Sequence, residues 1–317
     1  MKTSGLKTYF LITLITIALC GASCLLGGLT GTFAWIVIAA LLGVVMYRYH
    51  FMFGIVNSGF ILVIFSLFSN LITGLTNAAP LILLGATMAL GTRFKISLSR
   101  LLTIASALFL LNTLFGMELL KIASGGNMTL NSLWLDAGQQ FRETTMQLYP
   151  ESAAMFEDAI AMTVNFMLTI SPALMVIASV FMAYVLILIY KKVQTIQGLD
   201  MSFLCSFSKL QAEKGFSIFF LILLLLFTVV PKGIFCDAIL NVVIILTAIF
   251  FVLGFSVLCF KLKKDNSNVS ARRLFIIVLI VSSTAFFMVP LLALAVCGLL
   301  DSFFDYRKIR PQNGEEN

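Results

Sequence analysis

The chain is poor in charge. Asp, Glu, Lys and Arg together make up 11% of its 317 residues, against about 25% in soluble domains. Too few ionised side chains are present to cover a water-facing surface, which excludes an ordinary soluble globule. Histidine is almost absent, with His50 alone. HExxH, GxSxG and Walker phosphate-loop patterns are lacking, which removes the common metal-hydrolase, serine-hydrolase and nucleotide-hydrolysis readings. Glu157 and Asp158 are adjacent, so on a helix they diverge by about 100° and make a poor acid–base pair. The expectation is a protein that is not an enzyme and needs no cofactor or metal. The six cysteines, Cys20, Cys24, Cys205, Cys236, Cys259 and Cys297, show no CxxC spacing. They read as free thiols rather than a disulfide framework or zinc site.

What fills the chain instead is apolar. Hydrophobic residues make up 60% of it, including 30 Phe. A helix needs about 20 such residues to cross the hydrocarbon core. Apolar runs fall at Thr8–Gly27, Gly31–Tyr47, Phe51–Leu71, Ala78–Gly91, Leu101–Met117, Met162–Tyr190, Gly215–Val230, Ala238–Phe260 and Leu274–Leu300. The first follows Lys2 and Lys7, and Gly21-Ala22-Ser23 imitates a cleavage site. Since the rest of the chain is just as apolar, an uncleaved first span is expected. The fold class is therefore all-α, a polytopic transmembrane bundle of eight or nine spans. Residues 1–192 form one region with an outer segment at 118–160, and residues 193–317 form a second with two or three spans and a short basic tail.

Lys and Arg outnumber Asp and Glu by 21 to 14, and they sit between the apolar runs. That is the positive-inside pattern of a multi-pass cell-membrane protein, not a nucleic-acid surface. Arg48, Arg93/Lys95/Arg100, Lys191/Lys192 and Lys261/Lys263/Lys264 fall on one side, expected to be cytoplasmic together with the N-terminus. Residues Glu118 to Asp158, with six acids against Lys121 and Arg142, fall outside. A conflict remains in the count. Nine spans starting inside end outside, yet the tail carries Arg307, Lys308 and Arg310.

The outer segment has its own pattern. Trp134, Ala137, Phe141, Thr145 and Leu148 recur at steps of three and four, one face of a helix. A short amphipathic helix at the membrane interface fits, serving as a lid over a cavity or as a packed loop helix.

Polar side chains inside spans are costly, so they mark sites or helix–helix hydrogen bonds. Asn57, Asn70, Asn77, Asn112 and Asn165 lie within or at the ends of spans, and Glu118 ends the fifth. These six are the candidate substrate-binding residues. Gly54/Ser58, Gly85/Ala89 and Ala18/Ala22 have the four-residue spacing that lets helices approach closely. Pro172 and Pro290 are expected to kink their spans.

Four stretches carry a family resemblance: Met46-Tyr47-Arg48-Tyr49-His50; Leu84-Gly85-Ala86-Thr87-Met88-Ala89-Leu90-Gly91; Ile170-Ser171-Pro172-Ala173-Leu174; and the ending Gly298-Leu299-Leu300-Asp301-Ser302-Phe303-Phe304-Asp305-Tyr306-Arg307. In these the chain resembles the YybS-like family of bacterial membrane proteins. That family is distantly similar to the substrate-binding S components of energy-coupling-factor transporters and to the cell-shape protein MreD. The resemblance implies that the first six spans form an S-component-like bundle. It also implies that Ala18 and Ala22 contact a partner, and that separate ATPase and coupling subunits, or cell-envelope proteins, work with the chain.

Two readings follow. A substrate-binding or transport-associated membrane subunit for a small solute should hold a closed polar cavity lined by several of the Asn residues and capped by the 131–148 helix. A non-catalytic membrane scaffold or morphogenesis protein should show packed spans without one. No charge is centred in a span, which argues against an ion-driven pump.

Overall fold

The structure is a computed structural model that describes residues 3–26, 28–49, 51–68, 71–123, 125–126, 128–148, 153–204, 207–264 and 289–308. Among these residues it is all-helical. Helical structure is what a bilayer demands of such apolar segments, because each backbone N–H and C=O must find its partner inside the segment. In chain order the helices are α1 (Thr3–Leu26), α2 (Gly28–Arg48), α3 (Phe51–Phe68), α4 (Leu71–Arg93), α5 (Leu98–Ala123), α6 (Leu130–Leu148), α7 (Ala153–Ile196), α8 (Lys214–Val229), α9 (Ile234–Lys264) and α10 (Val289–Phe304).

Seven of them, α1–α5, α7 and α9, are long and apolar enough to cross a membrane, while α8 and α10 are shorter apolar helices. The fourth expected run is too short. Leu71 opens α4 rather than ending α3, and Gly74–Arg93 is the span-length stretch. Thr73, Gly74, Thr76, Asn77 and Pro80 dilute its apolar character, so the sequence pattern starts the span late. The sixth expected run is also too short. Helix α7 has 44 residues, about 66 Å at 1.5 Å per residue, twice the depth of a hydrocarbon core.

Helix ends are closed by backbone geometry. Gly198 sits at φ 80° after α7. Its N–H donates to the Thr195 carbonyl, and the Leu199 N–H donates to that of Gln194, which makes a Schellman cap. Helix α6 opens with reciprocal bonds between Thr129 and Ser132: the Ser132 N–H donates to Thr129 Oγ1 at 3.1 Å and the Thr129 N–H to Ser132 Oγ at 2.8 Å. That is a capping box with Ser in the place usually taken by Glu. The expected amphipathic helix is thus formed, and no described residue along it is buried.

Packing divides the chain into two compact units. The first comprises residues 1–153 and 175–204, the second 154–174 and 205–317, so α7 contributes to both. In the first unit α2 is central, touching α1, α3 and α4. Its span is 61% buried, against 28% for α1 and for α3. Gly43 makes this possible. A Cβ there would stand 3.0 Å from the Gly85 carbonyl oxygen and 3.2 Å from the Tyr190 ring. The Gly85 spacing noted in the sequence therefore marks the α2–α4 crossing. Gly54 receives the Met46 side chain, and Ser58 returns its hydroxyl to the Gly54 carbonyl at 2.7 Å.

In the second unit α9 and α10 pack most extensively. Gly254 and Gly298 meet where the two cross, and a Cβ on Gly298 would lie 2.6 Å from the Gly254 nitrogen. The apolar core here joins Phe220 of α8 to Ile239, Val243, Leu246 and Phe250 of α9 and Ala295 of α10.

Candidate functional site

Helices α4 and α5 are joined by the turn at Phe94–Ser97 and run antiparallel. Away from that turn they line a cavity of about 520 Å³ that is open on one side. Its lining is nearly all apolar: Leu75, Ala79, Pro80 and Leu83 from α4 face Leu108, Leu111, Phe115 and Leu119 from α5, with Thr76 and Asn112 as the polar members. Pro80 lies inside α4, where it withdraws one helix N–H. Among the described residues the Asn112 side chain has no hydrogen-bond partner.

The other candidates go elsewhere. Asn57 is 2% exposed on α3, and its Nδ2 is without a partner among the described residues. Asn77 is half-buried on α4, its carbonyl accepting a bond from Trp35 Nε1 at 3.3 Å. Asn165 is exposed on α7, where its carbonyl accepts from the Thr169 hydroxyl. Glu118 is exposed and pairs with Lys121 at 3.6 Å. Asn70 lies outside the described residues, as do His50 and Arg310. Of the described candidates, Asn112 alone lines the cavity, and α6 supplies no lining residue. Ala18 is exposed on α1 and Ala22 is half-buried.

Three polar constellations were not singled out in the sequence. In the first unit, Tyr190 is fully buried. Its hydroxyl pairs with Thr92 Oγ1 at 2.9 Å and accepts from Gln194 Nε2 at 3.0 Å. Arg48 Nε donates to Gln194 Oε1 at 3.0 Å, and its NH2 group to the Gln197 carbonyl at 2.8 Å. One chain of bonds thus ties the ends of α2, α4 and α7. Arg48, read as a topology signal, is also a tether.

In the second unit, Pro172 interrupts α7, and the break is repaired by side chains. Proline offers no N–H to Leu168; the Ser171 hydroxyl donates to that carbonyl instead, at 3.0 Å. One step on, the Asn241 amide from α9 enters the ladder. Its Oδ1 accepts from the Ala173 N–H at 2.9 Å, and its Nδ2 donates to the Thr169 carbonyl at 2.8 Å. A membrane helix tolerates proline when neighbours re-satisfy the backbone in this way. Pro172 was legible, but Asn241 was missed. The available signal was a lone Asn in an otherwise apolar span.

The third constellation closes the chain. Arg307 and Asp301 form an ion pair with both side chains 1% exposed. Arg307 donates through Nε and NH2 to Asp301 Oδ2, at 3.1 and 2.7 Å. It also donates to Ser256 Oγ and to the carbonyls of Ser208 and Leu210. Gln211 bonds to Asp301 and Asp305, and the Ser217 and Ser302 hydroxyls are in close contact. The start of α8, the later part of α9 and the end of α10 therefore meet here. Arg307 is bonded to Ser256, in the later part of α9, whose end bears Lys261 and Lys264.

Among the described residues no group of three or more His, Cys, Asp or Glu is placed to hold a metal ion. A family described as "Predicted membrane protein (DUF2232)" matches residues 14–302. The chain belongs to that family. The match takes in every helix in at least large part, the α4–α5 cavity and Asp301, while Arg307 lies just beyond it. No curated protein and no solved structure matches this DUF2232 chain. As a DUF2232 member with several apolar helices of spanning length, it is a multi-pass membrane protein in contact with the lipid bilayer.

Proposed function

We propose that the chain is a non-catalytic, substrate-binding or transport-associated subunit of the cell membrane, which takes a small solute between α4 and α5. The α4–α5 cavity carries this reading, although it is open and mainly apolar where the sequence led to a closed polar cavity lined by several Asn and capped by the 131–148 helix. Its volume of about 520 Å³ falls in the range of small-molecule sites, and its mostly apolar lining with a few polar groups has the usual character of one. In the same proposal the basic ends of the helices, and the N-terminus, face the cytoplasm. The exposed strip of α1 at Ala18 meets a partner such as a coupling subunit, with an ATPase as a separate chain. Kinship to YybS-like proteins, and more distantly to S components, belongs to this reading.

The test is thermal-shift screening of the purified full chain, with affinity co-purification from its own membranes. Stabilisation by at least one solute and recovery of an ATPase or coupling subunit are expected. No stabilisation, with recovery of cell-envelope proteins only, overturns the proposal in favour of an MreD-like scaffold. The scaffold reading draws on a separate observation: the Pro172 break is bridged by side-chain hydrogen bonds and Arg307 is held by several internal acceptors, as a rigid body needs.

A further inference from the structure

The cavity's chemistry says which solute it fits. It lies between stretches long and apolar enough to be membrane spans, Gly74–Arg93 and Leu98–Leu119, so its surroundings are hydrocarbon. Asn112 is seven residues short of Leu119 on α5, about 10 Å deep along the helix. An amide without a partner at that depth is costly, and the bilayer supplies no water to relieve it. Among the described residues the remaining lining is hydrocarbon apart from Thr76, and it contains no Lys, Arg or His. The nearest charges in sequence, Glu118 and Lys121, are exposed and paired with each other. A phosphate group would therefore find no cation in the cavity.

We infer that the occupant is an electrically neutral long-chain lipid whose carbonyl oxygen accepts a hydrogen bond from the Asn112 amide while its hydrocarbon chain lies against Leu83, Leu108, Leu111 and Phe115. The inference deepens the solute-binding reading and rests on it for the cavity's role. Neutrality follows from the missing cation, the carbonyl from the unpartnered amide, and the chain from the apolar lining. A water-soluble vitamin would bury polar groups here with one amide to meet them.

The full-length protein is placed in phosphatidylcholine vesicles with a diacylglycerol carrying a photoreactive diazirine in its acyl chain. A parallel sample receives phosphatidylglycerol with the same tail. After irradiation, labelled peptides are mapped. Diacylglycerol should label residues 75–83 and 108–119 about five-fold above the exposed faces of α1 and α3. Asn112→Leu should remove that excess, since one intramembrane hydrogen bond is worth about that factor. Ala79→Phe, which fills the cavity, should remove it independently. Uniform labelling of all lipid-facing helices, equal labelling by the phospholipid, or an excess that survives both substitutions overturns the inference. Enriched labelling without recovery of any partner subunit leaves the lipid site standing and removes the transport role. A recovered partner with a stabilising water-soluble solute and uniform labelling does the reverse.

Discussion

Arg307 NH2 lies 2.7 Å from Asp301 Oδ2, and neither side chain reaches solvent. The pair is six residues apart in sequence, yet Arg307 also binds Ser256 and two carbonyls that precede α8. Removing one partner strands a buried charge, a loss of about 3–5 kcal/mol. Arg307→Met and Asp301→Leu should each lower the melting temperature strongly in detergent. The double substitution should recover part of that loss, since no lone charge remains. A double variant no better than the sum of the two singles would show that the ion pair is not the stabilising feature.

The same network predicts sidedness. Because Arg307 is bonded to Ser256 in the later part of α9, cysteines replacing Lys261 and Lys308 should react with an impermeant maleimide from the same face of the membrane. A cysteine replacing Ile234, at the other end of α9, should react from the opposite face. Labelling of positions 261 and 308 from opposite faces would refute this placement of Arg307.

Asn241 stands in for backbone at the Pro172 break. Asn241→Leu leaves the Ala173 N–H and the Thr169 carbonyl without this partner, at about 1–3 kcal/mol for each group. The variant should melt earlier, and amide hydrogen exchange should accelerate locally around residue 173. Unchanged exchange there would refute the splice.

The two glycine environments should respond oppositely. Gly298→Val inserts atoms where Gly254 and Phe250 already stand, and overpacking of this kind costs about 1–3 kcal/mol or more. Gly21 of α1 has nothing within 4 Å of an added Cβ. Gly21→Ala should be neutral or stabilising by up to about 1 kcal/mol, the helix-propensity gain. Melting temperatures of the two variants check both signs.

Asp200 makes the turn after α7 sensitive to acid. Bonds from the Ser202 N–H and hydroxyl, with a smaller contribution from the Lys95 charge, lower its pKa from the usual 3.8. A carboxylate lowered on folding adds stability above its unfolded pKa and loses it as pH falls through the folded value. Asp200→Asn should therefore make the 198–204 turn more susceptible to protease at neutral pH. The difference from the parent should fade once the pH drops well below 3.8. A difference that persists in strong acid would exclude the carboxylate as its source.

Much of the architecture was readable from residues alone. The sparse charge, the apolar runs and the basic clusters gave a multi-pass helical membrane protein before any coordinates. The amphipathic pattern at Trp134–Leu148 located α6, and Gly85 was flagged as a contact. The extents of α4 and α7 were less legible, because polar residues and proline dilute hydropathy without ending a helix whose backbone bonds are satisfied elsewhere.

The candidate site was harder. Five of the six proposed binding residues are asparagines, and the described ones scatter to the buried face of α3, the contact of α4 with Trp35, the exposed flank of α7 and the cavity. Nothing along the chain separates Asn112 from Asn165, since both lie in apolar helices at similar distances from an end. Their roles depend on which face the neighbouring helix covers.

The sequence by itself determined the solvent, since composition and run length measure transfer from water to hydrocarbon. It also determined that the chain is helical, since lipid leaves an isolated apolar segment no other way to satisfy its backbone. Only the tertiary structure decided which faces are buried. A helix apolar all round has no preferred side in lipid, so glycine contacts such as Gly43–Gly85 and Gly254–Gly298 choose it. The structure also decided what Arg307 does. It folds back onto Asp301 because the segment before α8, the later part of α9 and the end of α10 offer the acceptors an enclosed guanidinium requires.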